Sequence, residues 1–422
     1  VNQPELARRL GTPDAVMIGL GSMIGAGVFA VFAPAAQAAG SWLLVGLVIA
    51  AVVAYANATS SAQLAAQYPR SGGTYVYGRE RLGPWWGFLA GWGFVIGKTA
   101  SCAAMALTFA TYAVPEPWQR PSAIAAVVFL AAVNYRGVTR TAFLTRVIVV
   151  IVLVVLAVTV GLGLGAVAGG ASSTAVPAQP VSGYGVLQSA GLLFFAFAGY
   201  ARLATLGEEV REPARTIPRA IVVALSGAVV VYAVVGATVL AVLGPDRLAT
   251  AVSPLSDMVR AGDHGWAVPV VAAGGALASL GALLALIAGL GRTTLAMARA
   301  RDLPVALAAV HERFRVPHRA EIAVAAVVCG LLLVVDLRGA IGFSSFGVLV
   351  YYLVANLAAW TQDGGHRRYP RALQLVGMIG CGVLALTLPW QSVLAGTAVF
   401  AGGALLRAAR LLIERRRRRP AA

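Results

Sequence analysis

Long apolar runs separated by short polar segments organise this 422-residue chain. Twelve runs of about twenty residues, each able to cross about 30 Å of hydrocarbon, are predicted near 14–37, 41–66, 85–113, 121–137, 142–168, 187–206, 218–243, 265–298, 320–336, 340–361, 371–388 and 390–412. The longest polar connections are 68–84, 169–186, 207–217, 245–264 and 301–319, which leaves no place for a soluble domain or a long linker. The pattern predicts an all-α integral membrane protein with 12 transmembrane helices. The first run is read as part of this core and not as a cleavable leader, because it is too long.

Two runs are interrupted near the middle by glycine. The first, 15–36, contains Gly19-Leu20-Gly21-Ser22-Met23-Ile24-Gly25-Ala26-Gly27-Val28-Phe29; the sixth, 187–206, contains Phe194-Phe195-Ala196-Phe197-Ala198-Gly199-Tyr200. A helix satisfies its own backbone in lipid, so a broken helix at membrane depth is tolerated only beside protein or a water-filled cavity. Paired breaks in corresponding halves are the best sequence pointer to the substrate site of a transporter. Four complete spans lie between the breaks, so the sixth span starts on the opposite side from the first. The segments 14–168 and 187–361 therefore form a five-plus-five inverted repeat, with broken helices 1 and 6, suited to alternating access. Two additional helices, 371–412, are available for packing or dimer contacts, and 413–422 is a basic tail. Gly21, Gly25 and Gly27 taken alone also fit a small-residue packing face; the partner break at Gly199 favours the substrate site. Gly72-Gly73 predicts a tight turn.

Composition agrees: 59% of residues are apolar and 12% charged, with a mean hydropathy of +0.80. The net charge of +17 suggests nucleic acid until its distribution is read. Apart from Lys98 and Arg202, twenty-seven of the remaining thirty-one basic residues fall on one side of the predicted membrane, and only Arg120, Arg247, Arg260 and Arg338 fall on the other. Positive loops stay cytoplasmic, so both termini are expected inside a bacterial cytoplasmic membrane and no nucleic-acid partner is expected. Arg415 to Arg419 are placed to touch anionic membrane lipids or simply to be solvated. Cys102, Cys329 and Cys381 sit within spans with neither metal-ligand nor disulfide spacing. The four histidines, His264, His311, His318 and His366, all fall in predicted loops, so no metal and no cofactor is expected. Nucleophile, Walker and paired-carboxylate motifs are missing, which excludes an enzyme reading.

At this point the residues resemble a known family, the bacterial amino acid permease branch of the amino acid–polyamine–organocation superfamily. Gly21-Ser22-Met23-Ile24-Gly25-Ala26-Gly27-Val28-Phe29 resembles its first-helix motif. Phe194 to Gly199, followed by Glu208-Glu209-Val210-Arg211-Glu212-Pro213-Ala214-Arg215-Thr216-Ile217-Pro218-Arg219-Ala220, resembles its sixth-helix signature. Pro69 to Tyr77 with Gly91-Trp92, and Gly291-Arg292 with Ala296-Met297-Ala298-Arg299 and Leu303-Pro304, resemble its third- and eighth-helix motifs. The resemblance implies substrate held at the unwound parts of helices one and six. There the amides of Ile24, Gly25, Ala26 and Gly27 face a carboxylate at a half-helix N-terminus, and the carbonyls near Phe197, Ala198 and Gly199 face an ammonium. A zwitterion is then neutralised by backbone alone, without buried side-chain charges. Phe197 and Tyr200 are expected to wall or gate the site.

The chain departs from the pattern in informative places. Many relatives carry an acid two positions after the sixth-helix glycine; here that residue is Ala201, followed by Arg202, which argues against cationic amino acids and polyamines. Arg202 at that depth is a candidate functional residue unless it snorkels to the interface. Some proton-coupled relatives place a lysine in the fifth helix; the stretch 147–157 here is uncharged. The single lysine, Lys98, lies in the third helix and is the candidate coupling or gating residue, a structural ion pair being the alternative. Ser279 is a thin ligand set for sodium. Glu208 and Glu209 beside Arg211, Arg215 and Arg219 are candidates for an inner gate. The expected function is secondary active import of a neutral amino acid by proton symport, its partners being the small-molecule amino acid and a coupling proton. An amino acid/amine or polyamine exchanger, or an amino acid sensor, remains open as an alternative.

Overall fold

The computed structural model describes residues 10–69, 72–136, 141–170, 182–204, 206 and 209–418. Their helices are α1 (Thr12–Met23), α2 (Ala26–Ala30), α3 (Phe32–Ala39), α4 (Leu43–Gln67), α5 (Thr74–Leu82), α6 (Pro84–Ala113), α7 (Glu116–Tyr135), α8 (Thr141–Ala168), α9 (Gly183–Phe197), α10 (Ala201–Ala204), α11 (Pro213–Thr250), α12 (Pro254–Ala261), α13 (Val268–Arg299), α14 (His318–Val334), α15 (Leu337–Trp360), α16 (Arg371–Thr387) and α17 (Trp390–Arg418). Among the described residues there is no strand, only an isolated bridge between Leu10 and Val210.

Every predicted run carries helix. Nine helical stretches among the described residues are long and apolar enough to cross a membrane. One of them, Phe32–Gln67, joins the end of the first predicted run to the second through a tight turn at Gly40–Trp42. The helices α7, α14 and α16, at three further predicted spans, fall short in length or apolarity. Apolar side chains such as Val48, Phe129, Val230, Leu333 and Leu386 stay exposed around the bundle, as a protein solvated by hydrocarbon requires and a soluble one avoids. The expected turn at Gly72-Gly73 is present, with φ of 124° and 55°. His318 opens α14 and does not lie in a loop, because the helix begins directly after Pro317.

The bundle centre is built from α6, α9, α13 and α15 with the broken first helix. Long helices approach closely where side chains are small: the hydroxyls of Ser101 on α6 and Ser344 on α15 lie 2.6 Å apart. At the end carrying most arginines, the segment at Leu10 is tied to the loop after α10, with the Leu10 amide donating to Glu209 O (3.1 Å) and the Arg211 amide to Leu10 O (2.9 Å).

Asp302, just past α13, holds that end together. Its side chain is only 5% exposed and pairs with Arg407 of α17 and with Arg79 of α5 at 3.4 Å. The Tyr75 hydroxyl donates to it at 2.8 Å. Burial, then the Asp302 carboxylate, push the Tyr75 hydroxyl well above its ordinary value, so it remains a donor. The Arg407 guanidinium also stacks 5.0 Å from the Trp85 ring and 4.7 Å from the Phe88 ring. Removing one partner of a buried pair leaves the other uncompensated, at about 3 kcal/mol. Arg407→Leu is therefore expected to lower the apparent melting temperature in detergent clearly, and Arg299→Ala, at an exposed position, to leave it almost unchanged.

Candidate functional site

Both predicted breaks are present. The first helix stops at Met23, passes Ile24 (φ −80°, ψ 41°) and Gly25 (φ −91°, ψ −132°), and resumes at Ala26. The sixth ends as α9 at Phe197, tightens into a 3-10 turn over Ala198–Tyr200 and continues as α10. This second break is a tightened turn, narrower than an open unwound stretch, so fewer backbone groups are released.

The breaks touch through backbone. A Cβ on Gly199 would lie 2.1 Å from Ser22 O and 2.7 Å from Met23 N, and one on Gly27 would lie 2.9 Å from Ala196 Cα. Only glycine allows this approach. Neighbouring side chains then close the groups that the breaks release. The buried Tyr232 hydroxyl of α11 lies 2.6 Å from Met23 O and 3.0 Å from Ala196 O, so its proton serves both broken helices. The Tyr112 hydroxyl of α6 donates to Phe29 O at 3.1 Å. Lys98 Nζ donates to Ala198 O at 3.0 Å, with the lysine 6% exposed.

A cavity of about 110 Å³ opens beside the breaks, room for several waters or a small solute. Ser22 and Gly199 reach it from the broken helices, Phe94, Lys98 and Met105 from α6, and Ala282 and Leu286 from α13. Phe94, Lys98 and Met105 share a face of α6 because they are four and seven residues apart. Farther toward the arginine-rich end the wall includes Ala201, Arg202 and Arg292, and Arg292 pairs with Glu209 at 3.1 Å. Glu208 lies outside the described residues.

Of the expected site residues, Gly199, Lys98 and Arg202 line the cavity; Ala198 lies beside it through the Lys98 hydrogen bond and Glu209 through its pair with Arg292, while Gly25, Ala26 and Gly27 lie at the first break and outside the lining. Others behave differently. The Ile24 amide donates to Leu20 O at 2.6 Å, closing α1, so it is not free for a carboxylate. The rings of Phe197 and Tyr200 turn away from the cavity: Phe197 packs edge-on against Tyr232 at 5.0 Å, and Tyr200 stacks on Tyr352 at 5.0 Å. Phe94 supplies the aromatic wall instead. Its signal was available in the four-residue spacing to Lys98, but several aromatics competed for the role. Tyr232 carried no local signal, since a lone tyrosine in an apolar helix reads as packing.

Apolar helices gathered around two broken ones, with a small cavity at the breaks, define a multi-pass membrane transporter. Residues 10–403 match the family Amino acid permease. The chain belongs to that family, within the amino acid–polyamine–organocation superfamily. It is 60% identical over 419 residues to an uncharacterized transporter of Mycobacterium tuberculosis, covering 98% of this chain and 94% of the relative. It is 24% identical to the branched-chain amino acid permease BcaP of Bacillus subtilis, over 93% of this chain and 90% of that one. It is 29% identical to cationic amino acid transporter 4 of Homo sapiens, over 83% and 59% respectively. The family and these relatives are transporters, not enzymes.

Two substitutions probe the packed breaks. Gly199→Ala forces Ser22 and Met23 away and is expected to reduce amino acid uptake by proteoliposomes at least tenfold. Tyr232→Phe removes one bridging proton, at about 1 kcal/mol, and is expected to lower the uptake rate several-fold with the protein still folded by circular dichroism. Unchanged uptake in both variants would mean that the contact between the breaks is dispensable.

Proposed function

We propose that this protein is a secondary active transporter that imports a neutral amino acid by proton symport and alternating access. The observation that carries the reading is the meeting of the two breaks at the cavity, with a protein ammonium already seated on the Ala198 carbonyl. The amides of Gly25, Ala26 and Gly27 begin the outer half of the first helix, where the helix dipole favours a carboxylate. Carbonyls of Phe197, Ala198 and Gly199 sit where a half-helix ends and suit the substrate's ammonium. The remaining walls, Phe94, Met105, Ala282 and Leu286, are apolar and suit an uncharged side chain. One relative's description as a branched-chain amino acid permease agrees. Lys98, Ala201 and Arg202 disfavour a cationic side chain, because a second positive charge would find no carboxylate among the described lining residues.

Lys98 is the coupling residue in this proposal. Its ammonium donates to Ala198 O and braces the break, leaving the neighbouring carbonyls for the substrate's amine, so that the proton on Lys98 and the amino acid are carried together. Arg202 and Glu209, with Arg292, order the arginine-rich mouth. The halves 14–168 and 187–361 rock as inverted repeats about the site, in a bacterial cytoplasmic membrane with both termini inside and the arginine-rich face against anionic lipid headgroups.

Thermal stabilisation of purified protein by a panel of amino acids, amines and polyamines tests the substrate class. A bound ligand at a hundred times its Kd adds about 2.7 kcal/mol. Shifts with leucine and other neutral amino acids are expected, and shifts confined to arginine, lysine or putrescine would contradict the proposal. In vesicles, an imposed inward proton gradient is expected to drive leucine accumulation, and Lys98→Met to abolish that response with folding intact. Unchanged pH-dependent uptake in the variant would remove Lys98 from the coupling role.

A further inference from the structure

A second polar feature meets the sixth-helix break at Tyr200, two residues from the Ala198 carbonyl that Lys98 holds. Asn57, Ser60, Gln63 and Gln67 recur every three to four residues on α4. They form a polar stripe about 15 Å long at 1.5 Å per residue, and the first three are fully buried. From α15, Asn356 accepts from the Ser60 hydroxyl at 2.7 Å and donates to Asn57 Oδ1 at 2.6 Å. At the arginine-rich end, Gln362 Nε2 donates to Gln67 Oε1 at 2.6 Å, and the Arg368 amide donates to Gln63 Oε1 at 3.3 Å. From α16, Cys381 Sγ lies 3.3 Å from Asn57 Oδ1. A Cβ on Gly377 would meet Asn356 Oδ1 at 2.3 Å, and Gln374, three residues before Gly377, lies on the same face and is fully buried. The stripe leads to the stacked rings of Tyr352 and Tyr200, the latter a residue of the break itself.

Packing alone does not account for this arrangement. Interhelical glue pairs its polar atoms with one another, yet five side-chain atoms here are buried without a hydrogen-bond partner: Asn57 Nδ2, Gln63 Nε2, Gln362 Oε1 and both amide atoms of Gln374; the hydroxyls of Tyr200 and Tyr352 lie against each other at the end of the stripe. Each orphan is a desolvation cost left unpaid, and so many in one seam exceed what a folded protein sustains dry. Buried waters satisfy such groups, typically with about three hydrogen bonds each.

We infer that the seam between α4, α15 and α16 holds a file of ordered waters that carries the coupling proton between the arginine-rich face and Tyr200, in the same turn as the Ala198 carbonyl that Lys98 holds, by a path other than the one the amino acid takes. The amides position the waters; the waters and the two tyrosine hydroxyls hand the proton on, each accepting one as it donates another, and each then turns its O–H back to restore the file. The titratable groups along it are Tyr200, Tyr352, Tyr351 and Cys381, with Arg367 and Arg368 at its outer end. This inference rests on the proton-coupled reading given above.

The test uses full-length protein in liposomes containing pyranine, with tritiated leucine as the probe. Gln374→Leu removes two orphans at nearly constant volume, and Tyr352→Phe removes one hydroxyl. Both are expected to lower proton-driven leucine accumulation at least tenfold, with leucine counterflow at equal pH staying within twofold of wild type. Variants that accumulate leucine and acidify the lumen like a responsive wild type would overturn the proton route alone. A wild type that accumulates leucine without any response to the pH gradient would overturn the coupling reading itself. Radiolytic hydroxyl-radical labelling of the wild type gives a readout that does not depend on variants folding. Ordered waters in the seam are expected to label buried Tyr352 and Cys381, whereas protection of both beside labelled, exposed Tyr184 would show a dry seam and overturn the inference.

Discussion

A peptide group released from a helix inside hydrocarbon must find another partner, and the rest of this structure follows from how that demand is met. The breaks after Met23 and Phe197 release carbonyls and amides at mid-bundle. Tyr232 reaches between the broken helices to cover Met23 O and Ala196 O, Lys98 covers Ala198 O, and Tyr112 covers Phe29 O where α2 gives way to α3. Those three side chains come from α11 and α6, so these helices must stand on either side of the breaks. Glycine at 27 and 199 is the complementary requirement, since the two backbones approach too closely for a Cβ.

The sixth-helix break stands between two polar environments of different construction. On the α6 and α13 side is a small cavity with apolar walls and basic residues toward its mouth. On the α4, α15 and α16 side is a narrow seam of amides and hydroxyls with little room between them. A carrier that couples two species gains from such separation, because each then answers to the same backbone element without competing for one passage.

Much of this was legible in the chain. Helix positions followed from hydropathy, since lipid leaves few other solutions, and both breaks followed from glycine in otherwise continuous apolar runs. Lys98 stood out because it is a lone ammonium in an uncharged span. Long-range partners were not legible. Nothing local to Tyr232 tells that its hydroxyl spans two other helices, and nothing near Phe197 tells that its ring faces Tyr232 and not the cavity. A break frees donors, which points the Ile24 amide toward substrate, but that amide closes the helix before it. The α4 stripe was visible at helical spacing, yet its meaning depended on α15 and α16, three hundred residues away.

In the proposed function, backbone at the two breaks recognises both ends of a zwitterion. Competition binding with leucine, isocaproate, which lacks the amine, and isoamylamine, which lacks the carboxylate, tests it most directly. Loss of either group is expected to weaken binding more than tenfold, about 1.4 kcal/mol or more. Isocaproate binding as tightly as leucine would contradict the claim, leaving Lys98 as the permanent occupant of the amine position.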